Sequence, residues 1–135
     1  MMLCANHSFL KNVGIDPLLV KGWFSDSGQM SDHFHYLEFE EHVNPWLQRI
    51  SEHSPLYFVN EGFKSSPIYL IAYTQDMHCR VEQNQLFLKS VQMYSESTKI
   101  HLEIIDGMHC QSTSLKDENG DMLFASLLDK FIKNN

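Results

Sequence analysis

Apolar residues along this chain gather in short, separate runs with polar stretches between them. The cleanest is Ile68-Tyr69-Leu70-Ile71-Ala72-Tyr73, introduced by Ser65-Ser66-Pro67 and ended by Thr74-Gln75-Asp76. An apolar run of that length without polar alternation predicts a strand covered on both faces. Two further strands are predicted over 18–24 (Leu18-Leu19-Val20-Lys21-Gly22-Trp23-Phe24) and over 100–105, the latter ending at Asp106-Gly107. Between them, Leu86, Phe87, Val91 and Met93 stand among polar residues and predict an amphipathic helix over 81–93. Near the end, Met122, Leu123, Leu127, Leu128, Phe131 and Ile132 recur at helical spacing, the signature of a helix packing one face on a core.

The remaining segments read as connections. Residues 1–13 resemble the tail of a helix stopped by Gly14, and Asp16-Pro17 makes a turn. Residues 25–31 form a Ser-, Gly- and Asp-rich loop. Residues 32–60 form a lid-like excursion between strands, with a short helix expected from Pro45-Trp46 to about Ser51 and broken by Ser54-Pro55. Strand and helix in alternation predict an α/β fold with a parallel sheet and crossover helices. No repeat and no internal linker divides the chain, so 1–135 is read as one domain.

Composition narrows the function classes. Hydrophobic residues at 43% and charged residues at 20% describe an ordinary folding chain of 135 residues, long enough to bury a core. Seventeen acidic residues against ten basic give a net charge of -7. That balance argues against nucleic acid or an anionic membrane as partner, since both are held by Lys and Arg. Three cysteines without a C-x-x-C pair, no basic leader and no long apolar stretch suggest a reduced, cytoplasmic protein.

In an open parallel sheet, functional groups collect in the loops beyond the C-terminal strand ends. Asp76 and His109 both occupy such positions, on strands expected to be neighbours. A carboxylate beside an imidazole fixes its tautomer and stabilises the imidazolium, as a general base requires. Ser27 also follows a strand, but no base lies near it in sequence, and it reads as a loop residue. Cys110 adjoins His109, though consecutive residues at a strand end point in different directions. His33, His35 and His42, with Glu38 and Glu41, offer imidazole and carboxylate groups without a recognised ligand spacing, so no metal or other cofactor is expected.

These residues carry a resemblance. The run from Ser66-Pro67-Ile68 to Thr74-Gln75-Asp76 resembles the acid-bearing strand and loop of α/β-hydrolases, and Ile104-Ile105-Asp106-Gly107-Met108-His109 resembles their final strand and histidine loop. The stretch from Leu115-Lys116-Asp117 to Phe131-Ile132 is similar to their closing helix. Upstream, Gly14-Ile15-Asp16-Pro17, the segment from Val20-Lys21-Gly22 to Asp26-Ser27-Gly28, Asn44-Pro45-Trp46 and Ser54-Pro55-Leu56 resemble bacterial carboxylesterases and kynurenine formamidase-like esterases. The resemblance implies the C-terminal part of a Ser-His-Asp carboxylic-ester or acyl hydrolase, acting on a small-molecule ester, with Asp76 as acid and His109 as catalytic histidine. Two departures stand out: Tyr73 replaces the usual Gly at the end of the acid strand, and neither Gly-x-Ser-x-Gly nor a His-Gly-Gly-type oxyanion loop occurs. In the family both precede the helix with which this chain begins, together with the first strands of the sheet. The chain alone is therefore expected to hydrolyse esters very slowly or not at all. It would work with an N-terminal half, or else serve as an inactive, self-associating interaction protein built on an unpaired strand edge.

Overall fold

The apolar run at 68 becomes the central strand of a small α/β domain. In a computed structural model that describes residues 1–135, three parallel strands lie in the order β1-β2-β3: β1 (Trp23–Asp26), β2 (Ile68–Gln75) and β3 (Ile100–Met108). Phe24 pairs with Tyr69 across the first ladder and Tyr73 with Ile105 across the second. The register shifts between Tyr73 and Gln75, so the end of β2 is irregular. Every residue from Ile68 to Tyr73 is buried, because β2 alone has a strand on each side and a layer on each face.

Alternate side chains of β2 feed two cores. Ile68 and Leu70 face a cluster with Cys4, Met30, Leu56, Val59, Phe63, Phe87 and Val91. Tyr69, Ile71 and Tyr73 face Leu127 and Phe131, with Phe24 and Ile105 against them. The first face is covered by the short helix α1 (Met2–Ala5), by part of the excursion and by α3 (Arg80–Tyr94); α4 (Leu123–Lys133) covers the second. Gly22 sits under α4 so tightly that a Cβ there would lie 2.6 Å from the Phe131 ring. No helix is long and apolar enough to cross a membrane.

Several expectations are corrected. The first strand begins at Trp23, not at Leu18: residues Pro17–Leu19 form a 3-10 turn whose leucines point to solvent, 84% and 69% exposed. Asp16 accepts the Leu18 N–H at 2.9 Å and fixes that turn in place of a strand. The N-terminal helix is two pieces, α1 and α2 (Ser8–Asn12), broken at Asn6-His7. No helix forms at 45–51; within the excursion the helical turns are a π-turn at Tyr36–Glu40 and a 3-10 turn at Pro55–Phe58. The excursion is pinned by buried Asp32, which accepts from Arg49 Nε at 2.6 Å and from the Ser51 N–H at 3.0 Å.

Helix α3 forms where expected, yet its buried face differs. Leu86 and Met93 are exposed, whereas Arg80, Gln83 and Asn84 are buried in line with Phe87 and Val91. Two of those polar side chains hold backbone. Gln83 Oε1 accepts from the Met30 N–H at 3.0 Å, and Asn84 Nδ2 donates to the Gly28 carbonyl at 2.9 Å. The loop after β1 has no ladder partner for these groups, so the helix supplies them.

Candidate functional site

Because the strands are parallel, their C-terminal ends place residues 27, 76 and 109 at one edge of the sheet. Gly107, with φ of 151°, lets β3 turn at its end, and Met108 is fixed by its N–H donating to Gln111 Oε1 at 2.7 Å. The turn delivers His109 to Asp76: Nδ1 lies 2.7 Å from Oδ1. The Asp76 side chain is 1% exposed and that of His109 is 42% exposed. Asp76 also accepts from Ser27 Oγ at 2.8 Å, the Met77 N–H at 2.7 Å and the Tyr73 N–H at 3.3 Å. A carboxylate can only accept, and these donors all point at the Asp76 oxygens. Nδ1 of His109 therefore carries the proton, and in the neutral ring Nε2 keeps its lone pair and makes no bond within the chain.

Ser27 is closer to this pair than its sequence position suggests. It adopts φ of 51°, is buried, and lies directly beyond β1. Its hydroxyl proton goes to Asp76, and its oxygen accepts the Cys110 N–H at 3.2 Å. The serine thus braces Asp76 and the loop that carries His109, and its proton is directed to Asp76 rather than to His109. Cys110 is no better a nucleophile, since burial and the charge of Asp26 push its thiol up from the ordinary range.

A second network secures the same loop. The Tyr73 hydroxyl donates to Asp26 Oδ1 and accepts the Ser112 N–H, both at 2.8 Å, while Ser112 Oγ donates to Asp26 Oδ2 at 2.7 Å. Burial, with Asp26 beside it, raises the Tyr73 phenol to about 12, so it is a permanent donor in neutral solution. Tyr73 therefore ties β1, β2 and the loop that carries His109 together.

Beside His109 opens a cavity of about 460 Å³, lined among others by Ser27, Gln29, Ser31, His33, His53 and Arg80. Arg80 is 4% exposed, and its Nη2 donates to Gln29 Oε1 at 3.3 Å. Burial lowers its affinity for the proton, opposed by the charge of Asp76. Burial, then His35 and Arg80, likewise hold the His33 imidazole below its ordinary value. A smaller cavity of about 270 Å³ lies at the opposite end of the sheet, around Pro67, Lys99 and Lys130, away from this chemistry.

Asp76 and His109 are thus brought together, whereas the histidine-rich segment is not gathered into a centre. His33 and His35 stack with ring centres 6.1 Å apart, Glu41 pairs with Tyr36 and Arg49, and no three His, Cys, Asp or Glu side chains converge. Sequence reasoning missed Arg80, Asp26 and Ser112. Asp26 closes β1 just before Ser27, a position that carries a signal; Ser112, inside the 3-10 turn Gln111–Thr113, and an arginine opening a helix carry none. No family profile, curated protein or solved structure matches this chain.

Proposed function

We propose that this chain carries the acid and histidine of a Ser-His-Asp relay in a carboxylic-ester or acyl hydrolase. The supporting observation is the 2.7 Å contact between a buried Asp76 and a half-exposed His109 whose Nε2 is free beside a cavity. In such a relay His109 Nε2 takes the proton of an attacking hydroxyl and returns it to the leaving alcohol, while Asp76 holds the ring and stabilises the imidazolium. The nucleophile and the oxyanion donors come from elsewhere, because Ser27 gives its proton to Asp76 and the chain has no Gly-x-Ser-x-Gly elbow. The chain by itself offers general-base assistance only, so its turnover is very slow.

The test is the native gene product: transcript sequence upstream of Met1, with mass spectrometry of the protein and its co-purifying chains from its own cell. The expected result is a Gly-x-Ser-x-Gly segment in the same product or in a partner. Hydrolysis of p-nitrophenyl acetate by that assembly should fall on the order of a thousandfold in His109→Ala. A native product without such a segment and without a partner overturns the proposal.

A second reading, an inactive self-associating piece, is favoured by the edge strands β1 and β3, each with a strand on one side only. It predicts a sedimentation coefficient that rises with concentration. A strictly monomeric chain contradicts it.

A further inference from the structure

Burying a guanidinium is expensive unless its charge and donors are matched. Arg80 is buried, forms no ion pair, and two of its three nitrogens, Nε and Nη1, have no hydrogen-bond partner. Ser31 Oγ, in the same cavity wall, is also buried without a partner. Buried polar groups of a stable fold are completed by a protein partner, an ordered water or a ligand, and here two side chains on one cavity have no protein partner. The arrangement is fixed beforehand: Arg80 opens α3, its Nη2 is held by Gln29, and Gln83 braces the backbone of Met30 and Ser31.

We propose that Arg80 and Ser31 form a subsite for the carboxylate of a small organic acid bound in the cavity beside His109. One guanidinium and one hydroxyl match a single negative charge. A doubly charged phosphate would face Asp76, whose own charge acts on Arg80. Phe34, Pro55, Met2 and Met77 on the same wall suit an apolar body attached to the acid. This subsite goes beyond the hydrolase reading and does not depend on it, since it is read as binding and holds for a chain that turns nothing over.

The test titrates the intact chain with phenylacetate, and in parallel with its neutral counterpart phenylacetamide, following the Arg80 Nε–H and the His109 ring by NMR. Phenylacetate is expected to bind saturably and to move both signals, with phenylacetamide at least about tenfold weaker because the charge-assisted bonds are lost. Arg80→Lys should retain part of the preference for the acid, and Arg80→Met should abolish it. The comparison of acid with amide in the unaltered chain needs no variant to fold. Equal binding of the two compounds, absence of binding by phenylacetate, or shifts confined to residues away from Arg80 would each overturn the proposal.

Discussion

Replacing Tyr73 with Phe removes one oxygen atom from the centre of the fold and leaves the ring in place. The hydroxyl lies between Asp26 Oδ1 and the Ser112 N–H, at 2.8 Å from each, inside a fully buried side chain. Asp26 keeps its bond from Ser112 Oγ, but the buried Ser112 N–H is left without an acceptor. A hydrogen bond to a charged group contributes about 1.5–3 kcal/mol, and an orphaned buried donor costs about 1–3 kcal/mol. The two share atoms and do not add fully, so about 2–4 kcal/mol is expected. At ~2.1 cal/mol/K per residue, a chain of 135 residues loses about 3.5 °C of Tm per kcal/mol, giving a fall of about 7–14 °C. Calorimetry reads the fall, and hydrogen exchange should show the Ser112 amide losing protection while the β2 amides at Leu70 and Ile71 keep theirs relative to global unfolding. A drop below about 2 °C together with unchanged exchange at Ser112 would refute the view that Tyr73 holds the histidine loop.

Other consequences follow from burial and titration. The Tyr73 phenol is raised to about 12 by burial and by Asp26, so between roughly pH 10 and 12 the unfolded chain loses this proton first; stability present below pH 10 falls as pH rises through that window, an alkaline loss that Tyr73→Phe should lack in a denaturant titration. Phe87→Ala opens a cavity in the α3-side core and should cost about 3–5 kcal/mol in urea unfolding, where a cost under 1 kcal/mol would contradict that core. Leu18→Ser alters a leucine 84% exposed and should stay within about 0.5 kcal/mol of the unaltered chain; a large loss would restore the strand that Pro17–Leu19 does not form. In iodoacetamide labelling at pH 8, read by mass spectrometry, Cys79 should react first. Cys4, buried with its thiol pushed up to about 11, should stay unmodified until the chain unfolds.

What the sequence revealed depended on how many surroundings a residue had to satisfy. β2 was legible because both its faces are apolar, and α4 because Leu127 and Phe131 on one stripe fill a single core. β1 was placed five residues early, because Leu18 and Leu19 are apolar yet exposed, while Ser25 and Asp26, though polar, belong to the strand. Local hydrogen bonding by Asp16 outweighed the apolar run there, a contest that hydrophobicity alone does not register. Asp76 and His109 were legible as strand-end residues, and parallel pairing of β2 with β3 was enough to bring them together. Ser27 was read as a loop residue with no base near it in sequence, and its contact with Asp76 needed β1 to lie beside β2.

The buried face of α3 links these observations. Toward its C-terminal half the face is Phe87 and Val91, and it packs on β2 like any core helix. Toward its start, near the C-terminal ends of the strands, the same face becomes Arg80, Gln83 and Asn84. An apolar helix start would have packed at lower cost, with no polar atoms to satisfy. Of the four residues with unpartnered buried polar atoms, Trp23, Ser31, Arg80 and Asn84, all but Trp23 belong to this helix start or to the loop it braces. Unsatisfied groups scattered through a core would signal poor packing. Gathered at the edge of the sheet that presents Asp76 and His109, they lie together around the proposed carboxylate subsite.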